Sequence, residues 1–156
     1  MKINFLKCLI ILSVIYSCKS ASNEYYSFPK STWDSKKIIQ FDITTKDSLQ
    51  QQTTNISIRH NTSYKYQNII FLLHHSFKEK AMSIDTIELL LAQDDGRWIG
   101  TGKGNIREFS TTVLPNKTYQ NGLHTFSLEL AMRDNTSIEL EKLQGISDIS
   151  LQLSNK

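Results

Sequence analysis

Cysteine is nearly absent from this chain of 156 residues: there are two, Cys8 and Cys18. So few in that length exclude a disulfide scaffold. Two prolines and six glycines exclude collagen-like and low-complexity classes. A charge of one sign is missing too. The 18 Lys and Arg side chains stand against 15 Asp and Glu, and the formal +3 is too dispersed to be a nucleic-acid footprint. No apolar run approaches the roughly 18 residues of a membrane-crossing helix. What is present, 39% hydrophobic and 10% aromatic residues, belongs to one globular domain with at most a targeting segment.

That segment is at the N-terminus. Lys2 and Lys7 form a short basic stretch, and no acid precedes Glu24. Cys8 to Tyr16 is an apolar run of signal-peptide length, followed by the small Ser17 and then Cys18. Ile15-Tyr16-Ser17-Cys18 resembles a bacterial lipobox, with an aliphatic residue three places before the cysteine and a small one just before it. Tyr16 departs from the pattern, where a smaller residue is usual. The alternative is ordinary secretion with cleavage near Ser20 or Ala21. The first reading makes residues 1–17 a lipoprotein signal peptide and Cys18 the lipid attachment site. Removing Lys2 and Lys7 takes the basic side chains from 18 to 16, against 15 acidic, so much of the positive charge is part of the address. Lys19 stands where an Asp would favour retention at the inner membrane. The expected location is therefore the cell envelope, lipid-anchored to the outer membrane rather than the inner, with the domain periplasmic or surface-facing.

Residues 18–35 are rich in Ser and Asn and contain Pro29, which reads as a lipidated N-terminus and tether leading to a single β-sandwich domain at 36–156. Within that domain the dominant period is two. Ile39, Phe41 and Ile43 alternate with polar residues, as do Ile56 and Ile58, Ile87 to Leu91, Phe126 to Met132, and Ile149 to Leu153. Such alternation marks half-buried strands. Asn68 to Leu73 (NIIFLL) is apolar after its first residue, as a central strand covered on both faces would be. Asp94-Asp95-Gly96 and Asn121-Gly122 are turn signals, the first of a tight hairpin returning through Arg97-Trp98. Helical spacing is confined to Ile138 to Leu143, where it predicts one or two turns. The fold class is all-β: an antiparallel sandwich or partial barrel.

The motifs that invite chemistry are explained by structure. Gly96 to Gly104 has the glycines of a phosphate loop, but Arg97 and Gly104 stand where that pattern needs Gly and Ser or Thr, and no helix follows. Glycines there allow bulges and close backbone approach. His74 and His75, adjacent on a strand, face opposite ways and cannot share an ion, while His60 and His124 are isolated. No metal site, cofactor or catalytic group is expected, and no enzymatic activity. Trp33, Tyr64, Tyr66, Trp98 and Tyr119 form either a stacking platform for a sugar or peptide or caps on the core. Arg59 and Arg133, each at a strand end, fit an ion pair or a partner contact. Asn55, Asn61, Asn116 and Asn135 begin eukaryotic N-glycan sequons, accidental in a bacterial lipoprotein. Asp47-Ser48-Leu49 and Asp85-Thr86-Ile87 resemble an acceptor pattern for periplasmic O-glycosylation.

The order of segments carries a further resemblance. Ile58-Arg59-His60-Asn61, Tyr64-Lys65-Tyr66-Gln67-Asn68-Ile69, Asp85-Thr86, and Leu91-Ala92 leading to Gly96-Arg97-Trp98-Ile99-Gly100-Thr101-Gly102 are similar to the gliding-motility lipoprotein GldH family. Gly122 before a strand ending at Met132-Arg133, then Leu143-Gln144-Gly145-Ile146-Ser147-Asp148-Ile149, extends the likeness, which runs from Cys18 to Leu153. The resemblance implies a small envelope lipoprotein needed for surface gliding, a process tied to type IX secretion. It implies contacts with other gliding-motility and secretion proteins, attachment to the membrane through Cys18, and no catalytic residue or cofactor. A glycan- or peptide-binding surface lipoprotein is the alternative.

Overall fold

Ile39, Phe41 and Ile43 are buried while Gln40, Asp42 and Thr44 between them are exposed, the alternation expected of a strand with one wet face. The same rule organises the rest of the chain. The computed structural model describes residues 22–46, 50–133 and 140–155. The expected signal peptide at 1–17, the expected lipid attachment site Cys18, Ser48 and Asn135 lie outside them. The strands are β1 (Ser22–Ser27), β2 (Thr32–Asp34), β3 (Ile39–Thr45), β4 (Gln51–Asn61), β5 (Asn68–Phe77), β6 (Lys80–Leu90), β7 (Ile106–Thr118), β8 (Gly122–Leu130), β9 (Lys142–Gln144) and β10 (Ile146–Asn155).

One four-stranded sheet has the order β1-β10-β4-β7 and the other β3-β8-β5-β6, every neighbouring pair being antiparallel. The short β2 and β9 form a separate ribbon. Neither large sheet closes on itself, so the architecture is the sandwich and not the partial barrel. Of consecutive strands, only β5 and β6 stay within one large sheet; the others pass between sheets or into the ribbon. Ile56, Ile58, Ile149 and Leu151 from the first sheet meet Phe41, Phe71, Leu73, Phe126 and Leu128 from the second in one continuous core. Burying each such side chain contributes about 1.5–3 kcal/mol.

The structure departs from the sequence reading in three places. Residues 22–34, inside the stretch read as a tether, belong to the fold: β1 pairs along its length with β10, and Phe28 and Trp33 sink into the core. Leu140 and Leu143 do not lie on a helix. Leu143 belongs to β9 and is fully buried, and residues 138–139 of the expected helix are outside the described set. The central strand β5 is covered on one face only. Ile69, Phe71 and Leu73 are buried, whereas Ile70 and Leu72 are half-exposed.

The glycine-rich segment is structural, as its sequence predicts. It folds back on the start of β7, with Thr101 and Glu108 exchanging backbone hydrogen bonds of 3.0 and 2.7 Å. Gly100 has φ +98°, and a β-carbon there would stand 2.2 Å from the Glu108 carbonyl oxygen. At Gly102 the distance to the Ile106 oxygen would be 2.0 Å. Gly100→Ala is therefore expected to lift this flap from the β7 edge and cost about 1–3 kcal/mol. Amide exchange at Thr101 and Glu108 is the check, and unchanged protection there would sink the account.

Candidate functional site

Three sets of side chains bear on function: the buried histidines with their aromatic neighbours, the polar outer face of the first sheet, and the chain leading to Cys18. His74 and His75 separate to opposite faces, as adjacency on a strand requires. Outside, His74 meets the Glu129 carboxylate at 3.0 Å. Inside, His75 Nε2 lies 2.9 Å from His124 Nδ1, and the far nitrogen of His124 is 2.8 Å from the Gln120 carbonyl. That carbonyl can only accept, so His124 donates through Nε2 and receives the His75 proton on Nδ1. His75 also stacks on Phe126 with ring centroids 4.7 Å apart. Burial, and then the neighbouring His124, holds His75 down at about 4.

His60 is fully buried at the other end of the sandwich, 4.6 Å from the Trp98 ring. Its Nδ1 donates to the Asn61 carbonyl at 3.1 Å, leaving Nε2 buried among rings. Burial lowers its pKa as well. Both histidines thus hold a proton less readily in the folded protein than in an unfolded chain, where the imidazole titrates near pH 6.5. Stability must then fall as pH drops through the window from about 6.5 toward 4, because the unfolded state binds more protons there. Urea titrations at pH 7.5 and 4.5 should give a lower midpoint at the acid pH. His75→Gln, which keeps a donor for His124, should shrink the difference; an equal difference in the variant would refute the assignment.

The aromatic residues cap the core. Trp33, Tyr64 and Tyr119 are buried, and Tyr66 and Trp98 are half-buried against them. Tyr64 and Tyr66 do meet, with centroids 5.7 Å apart, but in the loop after β4 and not on a strand face. The Tyr64 hydroxyl donates to the Asn68 carbonyl at 2.8 Å, and burial pushes its pKa up. They present no exposed stacking platform. Tyr25 on β1, which the sequence reading passed over, is 74% exposed. It borders an open cleft of about 430 Å³ on the outer face of the first sheet. At the centre of that cleft Arg59 reaches Glu108 at 3.0 Å and Asp148 at 3.6 Å, and Asp148 accepts from the Ser27 hydroxyl at 2.5 Å. Arg59 is thus an ion-pair residue in an exposed network, where such pairs are worth little to stability. Arg133 is exposed just beyond β8.

Among the described residues, no three His, Cys, Asp or Glu side chains converge as metal ligands would, and no helix is long and apolar enough to cross a membrane. Thr86 of the second glycosylation-like tripeptide is exposed on β6.

The profile of the GldH lipoprotein family matches residues 20–153, from before β1 to within the last residues of β10. The chain belongs to the GldH lipoprotein family. It is 27% identical over 153 residues to the gliding motility lipoprotein GldH homolog of Christiangramia forsetii, covering 96% of this chain and 91% of that protein. It is 24% identical over 151 residues to gliding motility lipoprotein GldH of Flavobacterium johnsoniae, covering 95% and 94% respectively. No solved structure matches the chain. Membership carries with it attachment to an envelope membrane through lipid, and the family likeness drawn from the ordered segments is correct.

Proposed function

We propose that this protein is a gliding-motility lipoprotein: a non-enzymatic component of the gliding apparatus, linked to type IX secretion and acting through contacts with other envelope proteins. Family membership across the whole domain carries the proposal, together with relatives in two organisms named for gliding motility. Cys18 is the residue that holds the protein to its membrane, and the outer membrane is the proposed site because Lys19 follows it. Charge-paired polar surface such as the Arg59 network suits reversible protein contact.

Deleting the gene is expected to stop movement on glass and to impair release of a type IX cargo, with wild type restoring both. Gliding and cargo release at wild-type levels in the deletion strain, with no paralogue expressed, would remove the proposal. The carbohydrate-binding alternative loses its first candidates, because Tyr64 and Trp98 are packed into the core margin.

A further inference from the structure

The end of the sandwich farthest from the anchor carries a basic cleft. β1 runs away from the lipid end, and at about 3.3 Å per residue its length moves the chain some 20 Å before the cleft begins. There the ribbon of β2 and β9 turns Trp33 and Leu143 inward and presents Thr32, Asp34, Lys142 and Gln144 outward, in register across the pair. With Tyr26 and Phe28 these side chains floor a cavity of about 690 Å³. Lys30, Lys36 and Lys37 complete its rim.

Lys30, Lys36, Lys37 and Lys142 face a single acid in the lining, Asp34, in a protein whose charges otherwise nearly cancel. Asp34 is already engaged, accepting the Lys36 amide at 3.0 Å. Among the described residues none of the four lysines forms an ion pair. The Lys37 ammonium lies 5.9 Å from the Tyr26 ring centroid. Lys30 and Ser31 both adopt left-handed backbone, at φ 55° and 50°, a strained pairing for residues with side chains. The strain is maintained by the Gly145 amide, which donates to the Ser31 carbonyl at 2.8 Å. Backbone held this way is concentrated at active sites, ligand clamps and switch regions. Among the described residues β1 and β2 each pair on one side only, so each has one edge without a strand partner there.

We propose that this cleft binds an extended acidic peptide segment of a partner protein. The lysines take its carboxylates, and the open strand edges supply backbone hydrogen bonds that a polysaccharide would not match. The inference rests on the reading that the protein acts through protein contacts, and it names where one of them is made.

The test uses the full mature lipoprotein in detergent and a fluorescent (Glu-Val)4 peptide, read by anisotropy. Binding is expected to be saturable and to weaken as salt rises from 50 to 300 mM, by roughly tenfold for point charges at a solvated rim. Lys36→Glu with Lys37→Glu should weaken it about tenfold or more, whereas Lys78→Glu with Lys80→Glu at the opposite end should leave it unchanged. Far-UV circular dichroism and melting verify that both variants are folded. No saturable binding, or equal binding by wild type and the Lys36/Lys37 variant, overturns the proposal. So does tighter lysine-dependent binding of polygalacturonate, which would assign the cleft to an acidic glycan. In the deletion strain the Lys36/Lys37 variant should fail to restore gliding while remaining in the membrane fraction. A deletion strain that still glides defeats the motility reading and leaves peptide binding standing. Full restoration by the Lys36/Lys37 variant after it has lost peptide binding defeats the cleft alone.

Discussion

Trp33→Ala is expected to be the most damaging single change in the core, costing about 3–5 kcal/mol, against a total stability of about 5–15 kcal/mol for a domain. Trp33 is 0% exposed and is stacked on Phe28 at 5.0 Å, with Phe71 of the second sheet 6.4 Å away. Its indole nitrogen donates to the Lys37 carbonyl at 2.9 Å, which closes the turn leading into β3. Removing the ring therefore empties a cavity between the ribbon and the main core and frees a carbonyl at the same time. Trp33→Phe separates the two effects. It keeps most of the packing and loses the hydrogen bond, so it should cost only about 1–2 kcal/mol. Far-UV circular dichroism in urea is the suitable readout, because Trp33 is one of two fluorophores of its kind. A loss below about 1 kcal/mol for the alanine variant would mean that the segment between β1 and β3 is not docked in the core.

That segment also shows where local sequence signals stop. Period two located the strands whose inward faces are aliphatic, β3, β8 and β10 above all, because burial on one face leaves a direct trace in residue order. β1 leaves no such trace. Ser22–Ser27 reads SNEYYS, polar and suited to a linker, and it is a strand only because β10 offers an edge to pair with. β7 was missed for a related reason. Arg107, Phe109, Thr111 and Val113 all turn half inward, but an arginine and a threonine among them blur the alternation, and Pro115 argues against a central strand. β2 and β9 are three residues each, too short for any period to register. Leu140 and Leu143, three apart, imitate helical spacing while serving a turn and a strand.

The interior histidines were more legible than they were read. His60 continues the inward series of Ile56 and Ile58, and His124 begins the one through Phe126, Leu128 and Leu130. Their placement inside follows from alternation, whereas the contact of His124 with His75 depends on how β5 and β8 register. The basic cleft depends still more on tertiary structure. Three of its four lysines, Lys30, Lys36 and Lys37, fall within one short window, but Lys142 joins them only because β2 pairs with β9.

Cys18→Ala is expected to have the largest effect on location while leaving the fold unchanged. A lipoprotein cysteine carries two or three acyl chains, and each buried methylene contributes about 0.8 kcal/mol to membrane residence. One chain binds only marginally, but two or more make release negligible on a cellular timescale. With no acceptor there is no lipid, and no helix among the described residues can substitute as an anchor. The wild-type protein should therefore sediment with membranes and partition into detergent. The variant should do neither, yet should melt at the temperature of the lipid-free wild-type domain, because Cys18 lies four residues before β1 begins at Ser22. With lipid on Cys18, a connection of four residues reaches at most about 14 Å. The end carrying Ser22, the β5–β6 turn at Lys78 and Glu79, and the start of β8 is therefore expected to face the headgroups, with the basic cleft pointing away. A membrane-bound Cys18→Ala protein would overturn the anchor and this orientation together.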